Sequence, residues 1–77
     1  MGVHSEKQAE QGKRMYRIRE RLGLSPSEWG KALGYSGSEH GLNIQIRRFE
    51  LGHRPIPIRT WRLALMFDAY GIPTQWR

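Results

Sequence analysis

The chain contains no cysteine, which excludes a disulfide framework and a thiolate metal site. Its histidines, His4, His40 and His53, are too scattered to hold a metal together, so no metal and no other cofactor is expected. The longest apolar run, Leu63 to Phe67, is far short of the ~20 residues that cross a bilayer. Residues 1–11 lack the apolar centre of a secretory signal. A cytoplasmic protein without a membrane partner is therefore expected. No glycine-rich phosphate loop occurs, and Ser25, Ser27, Ser36 and Ser38 fall into no Ser-His-acid arrangement. Catalysis is not expected, and nothing points to a small-molecule ligand. Strand-like alternation, internal repeats and low-complexity tracts are absent too.

Acidic residues are also scarce. Seven Asp and Glu stand against thirteen Lys and Arg in 77 residues, a formal charge of +6 and a pI near 10.5. Such an excess draws the protein to polyanions, although acidic proteins and anionic surfaces attract it by the same force. A chain of this length makes one small domain whose core is only marginally sufficient, so a partner subunit or ligand would help to stabilise it.

Gly and Pro divide the chain into short helical segments. Residues 1–11 are polar and aperiodic and read as a flexible arm. From about Gly12, Met15, Ile18 and Leu22 recur at helical spacing until Gly23. Arg14, Arg17 and Arg21 share the opposite face, where a solvated surface is their plainest role. The next helix has the sharpest start in the chain. Ser25 supplies a capping hydroxyl, Pro26 loses nothing by lacking an N–H there, and Glu28 can reach back to the cap. Leu33 and Gly34 end this helix after about two turns, with Trp29, Ala32 and Leu33 turned to the core. Gly30 within it costs roughly 1 kcal/mol relative to alanine, a cost that close approach of another helix would explain.

The segment from Gly41 to Pro57 carries the main functional signal. A helix stopped by Gly52 puts Leu42, Ile46, Phe49 and Glu50 on one side, and His40, Ile44, Arg47, Arg48 and Leu51 on the other. Two adjacent arginines beside aliphatic residues on an outward face suit a nucleic-acid groove. Guanidinium groups can meet phosphates or guanine acceptors, and a branched aliphatic can meet a thymine methyl. The alternative is a solvated helix whose Arg47 and Arg48 form surface ion pairs, for instance with Glu50 or Glu39.

After the prolines around Ile56, a last helix over Ile58 to Tyr70 is apolar on two sides. Ile58, Trp61, Leu65 and Ala69 form one stripe; Leu63, Met66, Phe67 and Tyr70 form another. One should close the core. The other needs either the tail Ile72 to Trp76 folded over it or a second copy of the chain, and a two-fold dimer is favoured.

A short capped helix, a Gly-containing turn and a helix with outward arginines follow the order of a helix-turn-helix. LGLSPSEWGKALGYS at Leu22 to Ser36, followed by IRRFELGHRPIP at Ile46 to Pro57, resembles the Cro/CI-type repressor domains of phages and bacteria. The resemblance covers about Met15 to Tyr70. It implies an all-α helix-turn-helix domain of four to five short helices over residues 12–77, with a dimerisation helix built from Leu63, Met66, Phe67 and Tyr70. It also implies base reading in double-stranded DNA by Asn43, Ile44 and Arg48, with Arg47 beside them, and backbone contacts from Arg54, with His53 and Arg59 nearby. Gln45 faces sideways toward backbone or base. Two departures stand out. Pro26 replaces a glutamine that often contacts DNA, and the stretch Tyr35 to Gly41 is about six residues longer than usual. Ser36, Ser38 and His40 in that stretch either reach phosphates or belong to a tolerated loop.

The implied function is a homodimeric repressor that occludes a promoter carrying an inverted repeat, with an antitoxin or an anti-CRISPR-associated regulator as subclasses. A competing class is a protein-interaction module that grips its partner through the apolar last helix.

Overall fold

The computed structural model describes residues 6–76. Residues 1–5, the first part of the expected arm and with them His4, lie outside the described residues, as does residue 77. The chain is all-helical: α1 over Glu6–Leu22, α2 over Pro26–Ala32, α3 over Glu39–Glu50, α4 over Ile58–Tyr70 and a closing 3₁₀ turn over Thr74–Trp76. Among the described residues there is no strand. No helix among them is long and apolar enough to cross a membrane.

Several of the starts and stops have a local cause. The α2 capping box forms in full: the Glu28 amide donates to Ser25 Oγ at 3.2 Å, and the Ser25 amide donates to Glu28 Oε1 at 2.8 Å. At the end of α3 the amides of Gly52 and His53 fold back onto the carbonyls of Phe49 and Arg48, at 3.1 and 2.9 Å. That pairing requires a left-handed residue, and Gly52 supplies it at φ +77°. The same two-bond closure ends α1 at Gly23 and α2 at Gly34.

Helix α3 is the central element, packed on both α2 and α1, while α4 packs on α1. The shared core joins Met15 and Ile18 of α1, Trp29, Ala32 and Leu33, Ile46 and Phe49 of α3, Ile56 of the crossing, and Ala64 and Phe67 of α4. Leu42 is buried with them. Full burial of such side chains contributes about 1.5–3 kcal/mol each.

Three expectations need correction. First, α1 begins at Glu6, so residues 6–11 are helix rather than arm. They are held by backbone and small-residue contacts that leave no apolar period. Gln8 Nε2 donates to the Gly52 carbonyl at 2.8 Å, Ala9 lies against Gly52, and a Cβ on Gly12 would stand 2.5 Å from the Phe49 carbonyl oxygen. Second, neither apolar stripe of α4 faces the core squarely; of the second stripe only Phe67 is buried. The buried line is Thr60, Ala64 and Phe67, along the edge of the second stripe, while Ile58 of the first stripe is 59% exposed. The small Ala64 allows close approach to the core, and the Thr60 hydroxyl hydrogen-bonds Tyr35 Oη at 2.8 Å. Third, Phe67 is only 1% exposed. It meets Trp29 and Trp76 edge-on at centroid distances of 6.1 and 5.8 Å, so it belongs to the core and cannot serve as a dimer contact. Trp76 of the tail packs on Phe67, but Met66 and Tyr70 of the same stripe stay exposed, so the tail covers the stripe only in part.

Candidate nucleic-acid interface

Helix α3 presents two contrasting faces. Leu42, Ile46, Phe49 and Glu50 are buried, and His40, Ile44, Arg47, Arg48 and Leu51 are exposed. The helix starts two residues earlier than its sequence pattern suggests. Ser38 caps it by accepting the Gly41 amide at 3.0 Å, so Glu39 and His40 form a first turn out of what reads as loop. Ser36 and Ser38 remain exposed in the six-residue connection 33–38. One end of that connection is anchored by Tyr35, whose ring lies 6.1 Å from Phe49.

The four expected base readers divide into three kinds. Ile44, 41% exposed, and Arg48 project outward, and Arg48 has no acidic partner among the described residues. Asn43 sits half-buried at the edge of the face, and its Oδ1 is shielded without a hydrogen-bond partner. That oxygen is closed off from solvent, so an outside donor reaches it only if the side chain turns. Arg47 stands apart from the other three. Its Nη1 lies 2.8 Å from Glu50 Oε1 and its guanidinium stands 6.0 Å from the Tyr16 ring centroid. The ion-pair alternative therefore describes Arg47 as it stands, although its side chain stays 44% exposed.

Glu50 is the electrostatic hub behind this face. On the side of α3 away from solvent it receives Arg19 Nε at 2.6 Å and Arg19 Nη2 at 3.2 Å. Arg19 is itself 6% exposed, and its Nη1 donates to the Leu24 carbonyl at 2.9 Å. This two-pronged pair locks α3 to α1 and fixes the rotation at which Ile44 and Arg48 face out. Sequence reasoning missed it, yet a signal existed. Glu50 falls on the core face of α3, where an unpaired carboxylate is prohibitive, and Arg19 follows Met15 by one helical turn and so shares its inward side.

The expected backbone contacts surround α3. Arg54 and Arg59 are exposed and Gln45 is half-buried. The Arg54 amide also folds back toward the Arg48 carbonyl, at 3.3 Å, which keeps Arg54 beside the C-terminal end of the outward face. Of the remaining expected dimer residues, Leu63 is half-buried, while Met66 and Tyr70 are 48% and 86% exposed. Among the described residues no group of three or more His, Asp or Glu could hold a metal ion. The chain matches no family model, no curated protein and no solved structure.

Proposed function

We propose that the protein is a sequence-specific binder of double-stranded DNA that represses transcription by occluding a promoter, with α3 lying in the major groove. The observation that carries this reading is the outward face of α3. Ile44 and Arg48 stand clear of the core, Asn43 lies half-buried at the edge, and Arg54 is folded in beside them. An arginine there can pair with guanine and an aliphatic side chain can meet a thymine methyl, while Arg54 and Arg59 hold the backbone and fix register. The net charge of +6 supplies attraction to phosphate. Two copies joined through Met66 and Tyr70 would read an inverted repeat with half-sites about 34–36 Å apart.

Selection of bound fragments from random DNA tests this directly, and a symmetric motif is the expected outcome. Within the selected site, Arg48→Ala should relax base preference and weaken binding by about 1–3 kcal/mol, whereas Arg54→Ala should weaken binding to all sequences alike. Identical behaviour of the two variants would refute the assignment.

One observation favours a second reading. Met66, Tyr70 and Trp76 are exposed apolar side chains that line an open hollow with Ile72 and Pro73, a surface suited to a protein partner. Binding through that surface would barely respond to salt, whereas groove binding falls steeply as salt rises.

A further inference from the structure

The arginines of α1 do not form one uniform solvated stripe. Arg21 is answered by Asp68 on α4, and Arg14 stands 6.0 Å from the Trp61 ring centroid. Arg19 is consumed by Glu50. Lys13 and Arg17, one helical turn apart and both exposed, have no ion pair among the described residues. Glu10 and Glu20 lie three residues to either side, and neither pairs with them; Glu20 instead lies 3.8 Å from Arg19.

These two uncompensated cations are not isolated on the back of the molecule. They form the α1 wall of an open hollow of about 430 Å³, completed by Tyr16, Arg47, Glu50 and Leu51. Arg47 and Leu51 also belong to the outward face of α3, so the hollow continues that face rather than opening elsewhere. The one acid in the hollow is buried and already shared by Arg19 and Arg47. The surface is therefore electropositive, with a half-exposed tyrosine between the two helices.

Resting on the DNA-binding reading above, we infer that Lys13 and Arg17 grip the sugar–phosphate backbone flanking the groove occupied by α3, so that α1 extends the footprint past the C-terminal end of that helix. The contact is with phosphate, so it adds affinity at every sequence and carries no base preference. Each phosphate neutralised contributes about 0.9 to the slope of log K against log salt.

Salt titrations of the full chain test this on two duplexes, one recovered by selection and one shuffled to the same composition. The double variant Lys13→Gln/Arg17→Gln should lower the slope by about 1.8 on both duplexes and leave the ratio of their affinities unchanged. A charge-matched control, Lys31→Gln/Arg62→Gln, removes two exposed cations elsewhere and should keep the wild-type slope. Circular dichroism confirms that each variant retains the helical fold. A double variant whose slope matches wild type or the control overturns the inference and leaves the DNA-binding reading standing. A wild-type protein with no salt-dependent affinity for any duplex overturns both.

Discussion

Helices α3 and α4 are nearly the same length, 12 and 13 residues, yet they show opposite relations between pattern and packing. In α3 Leu42, Ile46 and Phe49 share one side and the arginines the other, so the pattern admits one rotation and the structure adopts it. In α4 apolar residues occupy two sides, so the pattern admits two rotations, and the structure buries only the edge of one stripe, at Phe67. Its buried line passes through Thr60 and Ala64, the residues with least apolar surface to contribute. A helix with few bulky residues on a side can approach the core closely there, and hydrogen bonding by a hydroxyl can outweigh a preference based on hydrophobicity alone.

The largest test of this contrast is Phe67→Glu. Were Phe67 an interface residue, the variant would be a folded monomer. Because it is a core residue wedged between Trp29 and Trp76, the expected cost exceeds the ~3–5 kcal/mol typical of removing a buried phenylalanine. In so small a domain that should abolish the folded state, as read by denaturant titration. Next comes Glu50→Ala, which attacks the device that fixes the rotation of α3. It leaves buried Arg19 with only the exposed Glu20, 3.8 Å away, as counter-charge, and a loss of about 3–5 kcal/mol is expected. Replacing the pair together as Arg19→Met/Glu50→Leu should recover much of that loss if desolvated charge is the cause.

Two glycine variants sharpen the account of how α3 is held. At Gly12 a Cβ would stand 2.5 and 2.7 Å from the Phe49 and Glu50 carbonyl oxygens. Backbone cannot easily yield, so Gly12→Ala should destabilise by about 1–3 kcal/mol. At Gly30 the nearest atoms are side-chain carbons of Ile46 and Leu42 at 3.4 Å, an ordinary contact distance. Gly30→Ala should be neutral or stabilise by up to ~1 kcal/mol through helix propensity. An equal loss at both positions would show that the α2–α3 seam is as tight as the α1–α3 seam. The smallest expected effect on stability is that of Met66→Glu, within about 0.5 kcal/mol because the side chain is half-exposed. The same variant should reduce self-association measured by sedimentation, and a dimer that survives it would place the two-fold interface elsewhere.

Legibility in the sequence followed the range of the interactions. The Ser25–Glu28 cap, the glycine stops and the division of α3 into inward and outward faces involve residues no more than about one turn apart, and each can be read from its own segment. The first turns of α1 could not. Residues 6–11 offer one alanine and no apolar period, and what orders them is contact with a carbonyl and a glycine more than forty positions away. Asn43, Ile44 and Arg48 stand at or near the surface expected of them, whereas Arg47 was diverted by Glu50 and Tyr16. That diversion depends on where α1 lies.

Taken alone, the sequence determined that the chain is helical, where its helices end and where α2 and α4 begin, and which side of α3 faces inward. Backbone capping and helical periodicity are local and leave a local imprint. Only the tertiary structure decided which line of α4 is buried, that Phe67 lies beneath the tail, and that Glu50 joins Arg19 instead of serving Arg47 alone. Those outcomes turn on close approach and on desolvation of charge between segments distant in the chain, and neither quantity exists until the helices are packed together.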